Sequence, residues 1–89
     1  MVEENHPNPF NPVTTIRFTA PSRGHVSVEV YTLRGERVAT LLDRVVEAGS
    51  HPVVWRGEDE HGRPVSSGVY FYRVRGFGRT VTQKMALVR

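Results

Sequence analysis

Apolar and polar residues alternate with a period of two over most of the chain. From Thr14 to Ala20, Ile16, Phe18 and Ala20 point one way while Thr15, Arg17 and Thr19 point the other. This is the pattern of a half-buried β-strand, whose successive side chains leave opposite faces. It recurs from His25 to Tyr31, where Val26, Val28 and Val30 alternate with Ser27, Glu29 and Tyr31, and again in the run V-Y-F-Y-R-V-R from Val69 to Arg75. The final segment, Arg79 to Val88, places Val81, Gln83, Met85 and Leu87 on one side. His51 to Arg56 reads as a strand in which Pro52 marks an edge or a strand start, because proline donates no ladder hydrogen bond. Arg37 to Val46 is ambiguous: Val38, Leu41, Leu42 and Val45 fit a helical period as well as a strand. The glycines on either side and the β-rich neighbours favour a strand.

Turn residues separate these runs: Pro21-Ser22-Arg23-Gly24, Leu33-Arg34-Gly35-Glu36, Ala48-Gly49-Ser50 and Gly76-Phe77-Gly78, with a longer loop from Glu58 to Ser67. About seven strands at spacings of roughly 8–12 residues, with no long helix, predict an all-β, Ig-like antiparallel sandwich. There is no room for the crossovers of a parallel sheet. The expected core is Ile16, Phe18, Val26, Val28, Val30, Val38, Leu41, Val54 or Trp55, Tyr70, Tyr72, Val74, Met85 and Leu87. Residues 1–13 form a separate Pro/Asn-rich leading segment and 14–89 the sandwich. Within the leader, His6 to Pro12 holds three prolines and two asparagines, each Asn preceding a Pro, which excludes helix. Phe10 is its expected apolar anchor.

With 89 residues, 38% hydrophobic and 24% charged, the chain is a single globular domain with a modest core. The absence of cysteine removes thiol catalysis, Zn–Cys sites and iron–sulfur clusters. Arginine carries nearly all of the positive charge, and Lys84 is the only lysine. The arginines are scattered among apolar positions, as on solvated strand faces, and no nucleic-acid-binding module accompanies them. Arg73, Arg75 and Arg79 form the best candidate patch for an anionic partner. No apolar run is long enough to span a membrane as a helix. The first residues have no basic and apolar leader pattern, so export would require a longer precursor.

Candidate chemistry is sparse. Hydrolase, zinc-protease and phosphate-loop motifs are absent, His6, His25, His51 and His61 lack metal-ligand spacing, and no cofactor is expected. Glu58, Asp59 and Glu60 beside Gly62 are a candidate calcium loop without EF-hand spacing; a solvated acidic turn is the simpler reading. Trp55 could stack on a sugar, but one tryptophan with no exposed aromatic partner makes a poor cleft, which favours a place capping the core. Tyr70, just after the Ser66-Ser67-Gly68 turn, occupies the position of a tyrosine corner, whose hydroxyl ties back to upstream backbone.

Several longer stretches carry a family likeness. They are Pro7-Asn8-Pro9-Phe10-Asn11-Pro12, T-T-I-R-F from Thr14, V-Y-T-L-R-G-E-R-V-A-T-L from Val30, A-G-S-H-P-V-V-W-R-G from Ala48, D-E-H-G-R-P-V-S-S-G-V-Y-F-Y-R from Asp59 and K-M-A-L-V-R from Lys84. Together they resemble the C-terminal sorting domain of type IX secretion cargo. They are equally similar to the Ig-like domain of the flagellar hook-capping protein FlgD, which shares the W-x-G…G…V-x-S-G-x-Y pattern. His6 departs from the aromatic residue common before Pro7. The resemblance implies a non-catalytic domain carried behind a larger passenger, exported to the bacterial surface or medium and recognised by the outer-membrane secretion machinery. It nominates Pro7, Asn8, Pro9, Gly35, Gly68, Lys84 and Arg89 for recognition, with Trp55 and Tyr70 structural. The alternatives are a structural hook-cap or surface-fibre module, self-associating through edge strands, and a carbohydrate-binding module.

Overall fold

The computed structural model describes residues 2–9 and 11–89; Phe10 and Met1 lie outside the described residues. Among the described residues six strands form: β1 (Thr14–Ala20), β2 (Gly24–Thr32), β3 (Arg37–Val46), β4 (Gly49–Trp55), β5 (Gly68–Gly76) and β6 (Arg79–Leu87). All pairings are antiparallel: β1 and β4 make a small sheet, and β3-β2-β5-β6 make a larger one. The expected count of about seven is therefore corrected to six. The leader adds a pairing of another kind, through isolated bridges of Val2 with Phe18 and His6 with Thr15.

The period-two residues do what alternation requires. Ile16, Phe18, Val26, Val28, Val30, Tyr72, Val74, Met85 and Leu87 are all buried between the sheets. Each large apolar side chain so buried contributes about 1.5–3 kcal/mol relative to exposure. Trp55 belongs to this core and Val54, its outward neighbour, does not, so Val53 and Trp55 are the inward pair of β4. Ala20, Ala39 and Val46 are further core positions.

β3 is where periodicity was least informative, and its register gives the reason. Opposite β2, one residue of β3 is skipped between Leu42 and Thr40, and another between Ala39 and Arg37. Leu41 and Val38 are thus bulged residues, and each bulge flips which parity faces inward. Ala39 and Val46 are buried whereas Val38, Leu41 and Leu42 are only partly so. Two bulges three residues apart turn a period of two into an imitation of a helical period.

The leader closes one side of the sandwich. Glu3 N donates to Arg17 O (3.0 Å), and His6 and Thr15 exchange two 3.0 Å backbone bonds along the free edge of β1. On the other flank the inward hydroxyl of Tyr72, in β5, accepts from Asn5 N at 3.0 Å. It stands 3.0 Å from Glu3 O and 2.9 Å from the Gln83 side-chain oxygen, its one proton serving either acceptor. Asn5 is itself buried, donating to Thr14 Oγ1 (2.9 Å) and Pro7 O (3.1 Å). Burial holds the Tyr72 phenol above its usual pKa, the Asn5 amide working against this and the Glu4 charge with it.

Replacing Tyr72 by Phe leaves the Asn5 amide without its acceptor inside the protein. Stability should fall by about 1–3 kcal/mol in chemical denaturation. Amide exchange should accelerate most at residues 3–6; uniform acceleration across the sheets would contradict the clamp.

Candidate functional site

The residues nominated from sequence gather mainly at one end of the sandwich, around the loop between β4 and β5. Trp55 is only 1% exposed, so its ring offers no platform for a sugar. Its indole N–H donates to Glu58 O at 2.9 Å, and its ring meets that of Tyr70 edge to face at 5.2 Å. The Tyr70 hydroxyl donates to Ser66 O at 2.7 Å, the geometry of a tyrosine corner. Burial pushes the Tyr70 phenol up in pKa, with the Arg89 charge opposing.

The loop closes on its own backbone. Val65 N donates to Gly57 O (2.9 Å), Asp59 N to Arg63 O (2.9 Å) and Gly62 N to Asp59 O (3.1 Å). Asp59 turns its carboxylate inward onto the loop, accepting from His61 N (2.8 Å) and Arg63 N (3.0 Å). The Arg63 amide is the main reason that Asp59 titrates below the usual aspartate range. Glu60 faces Arg37 at 3.5 Å. The three acidic residues considered for calcium therefore diverge, and no group of three potential ligands forms among the described residues.

Arg89 fastens the end of the chain to this loop. Its backbone N–H donates to Ser67 Oγ (3.0 Å), Nε to Val65 O (2.6 Å) and Nη2 to Gly57 O. Gly57 needs to be glycine twice over. Its φ of +69° is left-handed, and a Cβ there would stand 2.8 Å from Arg89 Nη2 and 3.2 Å from Pro12 O.

Of the remaining nominated residues, Asn8 has the clearest role. Its side-chain oxygen accepts from Ala86 N at 3.0 Å, so it caps the outer edge of β6. Pro7 O takes Thr14 Oγ1 at 2.8 Å, whereas Pro9 is exposed. The Gly35 turn and Ser67-Gly68 face each other across an open cleft of about 360 Å³, lined also by Leu33 and Arg34. Lys84 stands exposed on β6, opposite Phe71. The arginine patch separates: Arg73 and Arg75 lie on the outer face of the large sheet, while Arg79 lines a cleft with Thr19, Pro21 and Phe77. Asn5, Glu29 and the Tyr72 hydroxyl were not singled out from sequence. The available signal for Tyr72 was an inward-facing tyrosine mid-strand, whose hydroxyl must find a partner when buried.

The sheet edges are guarded unequally, and an unpaired edge is a template for another strand. β3 carries two bulges, β4 carries Pro52, and β1 is covered by the leader. On β6 the Ala86 amide points outward to Asn8, so by the period of two those of Lys84, Thr82 and Thr80 point outward as well. Among the described residues these three amides have no hydrogen-bond partner, and their side chains are exposed.

The chain belongs to the FlgD Ig-like domain family, whose model matches residues 11–77. Among solved structures it is similar to dimeric latent PorU from Porphyromonas gingivalis, at 25% identity and a TM-score of 0.77 over 98% of this chain. It is also similar to PorZ, an essential bacterial surface component of the type IX secretion system of P. gingivalis, at 23% identity and a TM-score of 0.66 over 99% of this chain. FlgD from P. aeruginosa aligns over 84% of this chain at 24% identity and a TM-score of 0.59. The chain spans 9% of PorU, 11% of PorZ and 60% of the FlgD chain. No curated protein sequence matches it.

Two measurements check the loop. Gly57→Ala should cost about 1–3 kcal/mol through left-handed strain, with further loss from the displaced Arg89. A melting temperature equal to that of the parent would refute the close approach. For Asp59 the folded pKa lies below the unfolded one, so the unfolded state protonates first as pH falls. The stability it contributes is therefore full above about pH 3.9 and is lost as pH drops through the folded pKa. Asp59→Asn should flatten this acid limb of the stability curve, and an unchanged limb would assign it to other carboxylates.

Proposed function

We propose that the domain is a non-catalytic sorting and anchoring module of a secreted or surface-exposed bacterial protein, recognised by outer-membrane secretion machinery. The observation that carries this reading is the stretch Thr80–Lys84 of β6, where the edge guards of the fold are missing. A partner strand added there would satisfy outward backbone groups of β6, the β-augmentation mode of recognition. The nominated residues fit roles around that edge. Asn8 limits it at Ala86, Arg89 holds the chain just beyond it, and Lys84 offers a charge beside it. Gly35 and Gly68 shape the adjoining end of the sheet, while Pro7 and Pro9 frame Asn8. The likeness to PorU and PorZ, each many times longer than this domain, supports a module that serves a larger protein.

A second reading follows from the family match itself: a structural Ig-like module of a flagellar hook-cap protein. In that role the open edge would pair with neighbouring subunits or with another copy of the domain. The buried state of Trp55 argues against the carbohydrate-binding alternative.

The domain fused behind a reporter should direct that reporter to the surface or medium of a type IX-competent bacterium. Retention in the periplasm would refute the sorting role. Deleting Lys84–Arg89 is a poor probe, because it removes the core residues Met85 and Leu87. Thr82→Pro is better, since it removes an outward N–H that β5 does not use. The variant should keep its fold by circular dichroism and lose most export; full export would show that the edge is not read.

A further inference from the structure

The outer face of the large sheet carries a row of side chains that crosses all four of its strands. Register sets Arg37 of β3, Tyr31 of β2, Phe71 of β5 and Lys84 of β6 side by side. Two half-buried aromatic rings are thus flanked by a cation at either end. One step along β5, the Arg73 guanidinium lies 4.5 Å from the centre of the Tyr31 ring.

The charges on this face are matched unequally. Glu29 receives Arg75 at 3.1 Å and Arg37 at 3.7 Å, its side chain only 10% exposed, and the Tyr31 hydroxyl donates to it at 3.0 Å. Arg73 and Lys84 have no carboxylate within 4.0 Å among the described residues. They are diagonal neighbours on paired strands, since Arg73 opposes Thr82 and Lys84 opposes Phe71. The Arg73 guanidinium lies over Tyr31 on the β2 side of Phe71 and Lys84 stands on its β6 side, so the two cations flank the Phe71 ring. An anion placed over Phe71 lies between the two cations and gains a charge-assisted contact from each.

We propose that this row docks an acidic polypeptide segment, whose carboxylates are taken by Arg73 and Lys84 above the Phe71 ring. The guanidinium covers the face of Tyr31, so the row presents hydrogen-bond donors where a stacked sugar or base would need a bare ring. Carboxylates carried on one chain suit paired donors of this kind. Aromatic residues and arginine are also the side chains enriched where proteins meet. The proposal is independent of export and holds for whichever larger protein carries the domain.

The test is an amide-resolved NMR titration of the domain with a decaglutamate peptide at low salt, and in parallel with inorganic phosphate. Saturable shifts are expected at Phe71, Arg73, Thr82 and Lys84. Arg73→Gln and Lys84→Gln should each weaken peptide affinity about fivefold while leaving the melting temperature unchanged. Raised salt should weaken binding further. Arg79→Gln, whose cation lies on the other face, should bind like the parent. Absence of saturable shifts, or an equal loss with Arg79→Gln, overturns the proposal. Phosphate binding as tightly as the peptide at the same residues also overturns it, because the site would then serve a small anion.

Discussion

The architecture depends on how a two-stranded sheet covers a four-stranded one, and the Tyr72 hydroxyl is the contact that allows it. β1 and β4 are only two strands facing four, and the leader widens the smaller sheet by pairing with the outer edge of β1. Bridges alone would hold so short a segment weakly, because ordering each backbone residue costs about 1–2 kcal/mol in entropy. Tyr72 reaches from the opposite sheet to bond Asn5 and Glu3, and Asn8 reaches back to Ala86. The leader is thereby tied to both sheets, and burial removes the competing water that would weaken these bonds.

The same requirement explains why the edges of the molecule differ. The strand that the leader covers, β1, gains its missing partner from within the chain. β3 and β4 end their sheets with bulges and a proline, devices that distort an edge or strip it of a donor. On β6, among the described residues, only the Ala86 end is capped, because Asn8 is where the leader crosses it. The regular alternation that buries Met85 and Leu87 keeps the rest of β6 straight and unbulged. A strand straight enough to seal the core is also straight enough to accept a neighbour.

Much of this was legible in the sequence where one rule acted alone. Period-two alternation placed β1, β2, β5 and β6 and most of the core, and Gly-Phe-Gly placed the last hairpin. Tyr70 was legible because its position after a turn carries a known geometry. β3 was legible as a strand only through its flanking glycines and β-rich neighbours, since its bulges at Val38 and Leu41 break the period that identifies a strand. Glu29 read as an outward residue; cross-strand Arg75 and Arg37 enclose it, and no local pattern announces partners drawn from other strands. Arg73, Arg75 and Arg79 looked like one patch, but the parity change across the Phe77-Gly78 turn sends Arg79 to the other face. The leader was legible as non-helical, yet its docking depends on a tyrosine more than sixty residues away.

An Ig-like sandwich of this kind offers little with which to distinguish one role from another in its core. The inner residues answer only to packing, so domains of this fold can share them whatever larger protein they serve. What differs between roles must lie where packing leaves freedom: at the edges, on the outer faces and in the loops at either end. In this chain those places are unevenly furnished. One edge is open for about five residues, and the outer face of that sheet carries two cations without carboxylate partners among the described residues. Lys84 belongs to both features, since its backbone lies on the open edge and its side chain on the charged face. A strand arriving at β6 would bring its own side chains alongside Lys84. Backbone pairing and charge recognition can therefore act on a single partner at that residue.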